Sequence, residues 1–357
     1  QSIDSSENSF TFYGTYIASN SPIVINISLV NNEIKFSLLE DPGQPLTEEI
    51  SFPGPIESKA GDFLIVPWAS GMILPVEEGF PFWQFGLYDW KATMAFAGVT
   101  NLTSGYMIST YDPWDTRIEF PEGNNGLTSI KLINEPSKHT LGYERRFSYV
   151  FFPSGGYVSM AQWYRNFAML NGFVKTFEQK TEENPNVEKL RGAVDFWALD
   201  WHFLQPEFID SLHRFGIDRA IISLTGSWNE VTDFSAVIDT INNLGFLSSR
   251  YDIFTDVWPP LSPPVPGYRT DGFPEAVVVQ EDGSLLEGWL ALLEGGTTYQ
   301  GYYTCSATHA DYARSRIQDD LADNHYNCRF IDVELSSTLV ECYSDEHPAT
   351  RENDGLN

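Results

Sequence analysis

From Gly192 onward the chain alternates short apolar runs with segments of helical period, and that alternation narrows its possible folds more than anything else in it. Strands are expected over 193–199, 219–224, 246–251 and 328–333, and helices over 205–215, 233–243 and 309–323. Gly216 supplies a stop after the first helix. Repeated βα units of this kind imply a parallel sheet or barrel. A long insertion, about 253–304, interrupts the pattern and carries the pairs Pro259-Pro260 and Pro263-Pro264. An insertion of that length inside a βα unit is usually a functional loop or a subdomain.

Only four such strands fit before Asn357. A (β/α)8 barrel needs roughly 200 residues or more, so residues 192–357 are expected to form its first half. Half a barrel exposes apolar strand edges. The remaining strands are therefore expected from a second chain or a C-terminal fragment.

The text before this is different. Runs at 23–29, 33–39, 62–66 and 128–132 carry β-branched and aromatic residues, separated by Asn31-Asn32, Asp41-Pro42-Gly43 and Asn124-Asn125-Gly126. Short strands at such spacing read as an antiparallel sandwich over residues 1–158. Met160, Trp163, Phe167 and Leu170 then recur at helical spacing before Gly172. Residues 159–191 are accordingly expected to be a helical linker.

Charge excludes whole classes of partner. The 21 Lys and Arg stand against 49 Asp and Glu, a net charge of −28. Such a surface repels phosphate backbones and anionic lipid, so neither nucleic acid nor a membrane surface is an expected partner. Ten Trp, 17 Tyr and 25 Phe supply more rings than polar segments usually carry. Much of that is core, but flat rings also suit a carbohydrate partner, whose pyranose faces stack on them. The sequons at Asn26 and Asn101, with a sequence that opens on Gln1, fit an extracellular, secreted glycoprotein as well as they fit an arbitrary boundary.

Asp200, Asp252 and Asp332 each fall at or just past the C-terminal end of an expected strand. In a parallel barrel those ends converge on one mouth, where the chemistry is done. Asp332, after Arg329-Phe330-Ile331, is the first candidate for a catalytic nucleophile; a carboxylate that merely caps the following loop is the alternative. Trp201 and His202 beside Asp200, and Asp256 and Trp258 beyond Asp252, complete the expected substrate-binding set. Paired carboxylates perform glycosidic chemistry because one donates a proton while the other attacks or stabilises an oxocarbenium-like centre. The same oxygens could hold a divalent cation instead.

No HxxH, HExxH or CxxC spacing is present, and no Gly-rich phosphate loop or GxSxG elbow. No metal site and no cofactor are expected on that basis. The three cysteines are Cys305, Cys328 and Cys342. A helix of about 15 residues separates Cys305 from Cys328 by roughly 20 Å, and a disulfide needs Cα atoms within about 7 Å. Cys342 follows the fourth strand, which returns the chain to the mouth. A Cys305–Cys342 bridge is therefore expected, with Cys328 a buried thiol.

Several short segments carry a resemblance. They are Leu64-Ile65-Val66-Pro67-Trp68, Gly71-Met72-Ile73-Leu74-Pro75, Ser249-Arg250-Tyr251-Asp252 with Thr255-Asp256, Phe330-Ile331-Asp332-Val333, and the tract from Glu341-Cys342-Tyr343 to His347-Pro348. Together they resemble secreted glycoside hydrolases of the endo-α-N-acetylgalactosaminidase and α-N-acetylgalactosaminidase type, families 101 and 129 and their relatives. The resemblance implies an α+β multidomain fold, an N-terminal antiparallel β-supersandwich followed by a (β/α)8 barrel. It implies a retaining hydrolase of an α-linked sugar such as N-acetylgalactosamine. Its nucleophile is an Asp at the end of strand four, the position of Asp332. Its acid/base is a Glu on a later strand, beyond Asn357; Glu334 and Glu341 lie too close to Asp332 for that role. The alternative is a catalytically incomplete glycosidase-like module that binds or scaffolds in an extracellular assembly.

Overall fold

The computed structural model describes residues 2–17, 20–40, 45–80, 84–198, 205–224, 234–265, 267–293 and 295–357. The chain divides into two compact units, Gln1–Phe173 with Thr350–Gly355, and Val174–Ala349 with Leu356–Asn357. Among the described residues no helix is long and apolar enough to cross a membrane.

The first unit is built on two antiparallel sheets. Nine strands form the larger one, in the order Ser2–Ser6, Ser9–Tyr16, Ser21–Val30, Glu33–Glu40, Arg145–Phe152, Gly105–Thr110, Phe96–Thr100, Phe63–Val66 and Met72–Pro75. The smaller has Ile50–Ser51, Lys131–Asn134, Thr116–Glu119 and Gln84–Gly86. Period-2 alternation decides what each face buries. Leu38, Leu64, Ala97, Ile108 and Phe147 of the larger sheet share one core with Ile50, Phe85, Ile118 and Leu132 of the smaller. Phe96 and Met107, next to Ala97 and Ile108, and Val150, three residues past Phe147, face the other way, onto Met160. Met160 belongs to helix Gly156–Leu170. Gly98 and Gly105 permit that close approach, since a Cβ at Gly98 would stand 2.7 Å from the Met160 sulfur. Met160 and Phe167 are buried, as their spacing predicts, whereas Leu170 is exposed.

One buried ion cluster organises this unit. Asp115 accepts from Arg145 Nη1 at 3.0 Å, from the Tyr143 hydroxyl at 2.9 Å, and from Arg351. The Asp115 and Arg145 side chains are wholly inaccessible. Burial pulls the Arg145 guanidinium down to about 10, against the pull of Asp115 in the other direction. Arg145 also donates to the Glu135 and Leu141 carbonyls, at 3.1 and 2.8 Å. Without those acceptors a cation here would be unaffordable.

The second unit holds a four-stranded sheet whose neighbours all pair in parallel. Its strands are Val194–Ala198, Leu247–Asp252 and Cys328–Ile331 with Ala220–Leu224 between the first two, each within two residues of its expected position. Ala198, Ile222 and Leu224 pack on Ile209 and Leu212 of helix Pro206–Arg214 and on Ile238 and Ile241 of helix Ser235–Asn243. The long insertion forms a small antiparallel sheet of Asp256–Val257, Thr298–Tyr303 and Glu287–Leu292, after which the chain enters helix Ser306–Asn324.

Candidate active site

The second unit's sheet sorts its side chains into two environments. Residues facing the helices are apolar in the first two strands and ionic in the last two. Asp252, fully buried, accepts from Arg329 Nη1 and, at 3.3 Å, from Arg316 Nε. Arg329 Nη2 also reaches Asp320 at 2.8 Å. Arg316 and Asp320 lie on helix Ser306–Asn324.

The opposite face is aromatic and polar. Trp197, Tyr251 and Phe330 form a cluster there, Trp197 edge-on to Phe330 at 5.0 Å and Tyr251 stacked on Phe330 at 5.9 Å. Asp195 accepts from Ser223 Oγ at 2.9 Å and from Trp197 Nε1 at 3.0 Å. Above this cluster stands Asp332, whose Oδ2 accepts from the Tyr251 hydroxyl at 2.7 Å. Its backbone N–H donates to the Asp252 carbonyl at 2.8 Å, holding the residue against the third strand. Burial, and then the Asp332 carboxylate, raise the Tyr251 phenol above its ordinary range, so it stays a donor.

Two findings correct the sequence reading here. Asp252 and Asp332 were expected to share a cleft. In register Asp252 stands opposite Ile331, one residue before Asp332, and successive side chains point to opposite faces, so Asp252 takes the helix side among arginines. Trp258, expected on the substrate surface, is 7% exposed and enclosed by Tyr268 and Tyr299. Asp200, Trp201 and His202 lie outside the described residues.

Asp256 does join Asp332. It is buried in the strand that opens the insertion, and burial pushes its carboxyl up to about 6. The nearby Arg269 opposes that shift, while Glu334 and Asp332 add to it. The four groups therefore share one electrostatic neighbourhood.

Glu334 was seen in the sequence but given no role. Its Oε1 accepts from the Phe254 backbone N–H at 2.7 Å, and its Oε2 stands 3.2 Å from His309 Nδ1. His309 Nε2 is 3.0 Å from Thr304 Oγ1. Thr304 in turn donates to the Phe254 carbonyl, which also accepts from Arg269 Nη1 at 2.9 Å. These contacts lock the turn after the third strand to the turn after the fourth. Between Asp332 and Glu334, Val333 adopts φ 73°. A β-branched residue there is strained by about 1–3 kcal/mol. Strain of that kind persists only where surrounding bonds impose it, and here they hold two carboxylates on either side of it.

The sequons differ in setting. Asn26 is engaged across the sheet with Thr11 and Ser37, at 2.8 and 3.0 Å, whereas Asn101 is exposed and caps its own turn. No disulfide forms in the structure: Cys305, Cys328 and Cys342 are all thiols, which corrects the expected Cys305–Cys342 bridge. The two residues are nevertheless neighbours, because both lie at the same end of the unit as reasoned from the helix between Cys305 and Cys328.

The acidic strand-end site lies on a parallel sheet, in a chain whose first unit is built on antiparallel sheets. Residues 211–357 match the family model of glycosyl hydrolases related to the GH101 family, GH129. The α-N-acetylgalactosaminidase NagBb from Bifidobacterium bifidum, in its GalNAc complex, superposes with a TM-score of 0.77 at 16% identity, over 99% of this chain and 64% of that one. Its ligand-free form gives 0.75 at 18% identity, over 99% and 65%. This chain thus spans just under two thirds of the length of the enzyme it resembles. No curated protein matches it by sequence. The likeness to glycoside hydrolases of the α-N-acetylgalactosaminidase type, read from short motifs, holds in the family match and in the fold.

Proposed function

We propose that the polypeptide is a retaining glycoside hydrolase acting on an α-linked sugar, N-acetylgalactosamine being the favoured residue. One observation carries the proposal: Asp332, past the end of the fourth strand, faces away from the Arg-bound Asp252 and is oriented by the Tyr251 hydroxyl. The GH129 match over residues 211–357 supports the reaction class, and the NagBb likeness supports the sugar.

In this reading an Asp332 oxygen forms a bond to the anomeric carbon as the glycosidic bond breaks. The departing oxygen takes a proton from a second carboxyl group, and water then releases the sugar with overall retention. A retaining pair stands about 5–5.5 Å apart. The resemblance assigns the second group to a strand beyond Asn357. Tyr251 orients the attacking carboxylate through its hydroxyl. The acidic neighbours Asp256 and Glu334 favour the positive charge that develops on the ring.

Proton NMR of the hydrolysis of an aryl α-N-acetylgalactosaminide tests it. The first-formed product should be the α-anomer, which later mutarotates. A β-anomer as first product, or no hydrolysis of any α-linked aryl glycoside, overturns the reading.

A further inference from the structure

Away from Asp332, three potential metal ligands converge on one point of the second unit. Cys305 precedes helix Ser306–Asn324, and Cys342 and His347 bound a tight loop of the C-terminal tract. Their Sγ and imidazole nitrogen atoms all lie within 4.8 Å of one another. Both sulfurs are buried, in a small apolar cluster with Val278 and Ala349.

We propose that Cys305, Cys342 and His347 form a binding site for a thiophilic divalent cation of the zinc class. A tetrahedral ion about 2.3 Å from each sulfur and about 2.0 Å from nitrogen would hold the three donors roughly 3.5–3.8 Å apart. The observed group needs only a small contraction to reach that. Cys342 Sγ already stands 3.3 Å from His347 Nδ1.

The surroundings are those a ligand set requires. His347 Nε2 is 2.8 Å from the Glu275 carbonyl, which can only accept, so Nε2 carries the proton and Nδ1 presents its lone pair to the sulfurs. Ligating histidines are oriented in the same way, by a carbonyl or carboxylate on the far nitrogen. The Val279 N–H points at Cys342 Sγ at 3.5 Å, a donor suited to a thiolate. Reciprocal backbone bonds between Cys342 and Ala349, at 2.9 and 3.1 Å, close the loop so that its two ligands face inward. In the metal-free form the Cys305 thiol donates to the His347 carbonyl at 3.3 Å. Binding replaces the thiol protons, which leave to solvent.

Three protein ligands leave a fourth position for water. The ion would tie the start of helix Ser306–Asn324 to the tract that follows Asp332, with Glu275 and Val279 of the insertion held in the second layer. The sequence motif is Cys342-x4-His347 with a remote Cys305, a spacing that a search for CxxC or HxxH passes over.

Elemental analysis of protein purified without chelator, then dialysed against zinc and buffer, tests the proposal. About one zinc per chain is expected. Replacement by cobalt should give a sulfur-to-cobalt charge-transfer band, and thiol titration should find Cys305 and Cys342 protected until chelator is added. Cys328→Ser, outside the cluster, should retain the metal, while His347→Ala should bind it at least 10-fold more weakly. A metal content near zero after zinc loading overturns the proposal. So does a Cys305–Cys342 linked peptide from the zinc-loaded protein, or retention of full stoichiometry and unchanged affinity by His347→Ala.

Discussion

The Tyr251 hydroxyl donates to Oδ2 of Asp332 at 2.7 Å, joining the end of the third parallel strand to the loop after the fourth. The donor is stacked on Phe330, so its ring position does not depend on the hydrogen bond. A hydrogen bond to a charged acceptor contributes about 1.5–3 kcal/mol. Tyr251→Phe should keep the stacking and lose that bond. Turnover should fall about 10- to 100-fold, with the melting temperature little changed. Steady-state kinetics beside a thermal melt checks this, and unaltered turnover would remove Tyr251 from the site.

Asp256 makes the second unit's stability depend on pH. Its carboxyl rises from an ordinary 3.8 to about 6 in the fold because burial disfavours its charge. The native state therefore holds a proton that the unfolded chain has released between those values, and stability falls as pH rises through that window. A shift of this size corresponds to about 3 kcal/mol. Asp256→Asn, which cannot ionise, should lose this part of the decline. Urea denaturation at pH 4 and pH 7.5 should show a smaller drop for the variant than for the parent. Equal drops would show that Asp256 does not titrate as stated.

In the first unit, Asp115→Ala would strand two arginines. Arg145 is wholly buried beside it, and an uncompensated buried charge costs about 3–5 kcal/mol. Glu183→Ala removes an exposed partner of Lys175, where about 1 kcal/mol or less is expected. Chemical denaturation of both variants should separate them clearly; similar losses would mean that the cluster contributes no more than a surface pair.

Period and punctuation made much of the fold legible. Alternation marked the antiparallel strands, and apolar spacing marked helix Gly156–Leu170 and each parallel strand, because burial on one face imposes those periods directly. Asp332 was legible because it follows an apolar strand. The face of each strand-end aspartate was not. Asp252 precedes its turn by so little that only the register, Arg316 of a helix 64 residues later, and Arg329 of the neighbouring strand decide where it points. The role of Glu334 was likewise hidden, since its contact to Phe254 spans 80 residues of sequence. The insertion gave no strand period because its sheet is irregular, with a bulge between Glu287 and Leu290. Trp258 shows why a ring beside an acidic residue is a weak sign of a sugar platform: its neighbours Tyr268 and Tyr299 enclose it.

The central claim is that Asp332 attacks the anomeric carbon, and turnover by Asp332→Asn tests it most directly. An amide keeps the shape and can still accept from Tyr251, so folding and sugar binding should persist. Hydrolysis of an activated aryl α-N-acetylgalactosaminide should fall by about 10³-fold or more, and added azide should restore product formation as the β-glycosyl azide. Near-normal turnover by Asp332→Asn would contradict the account.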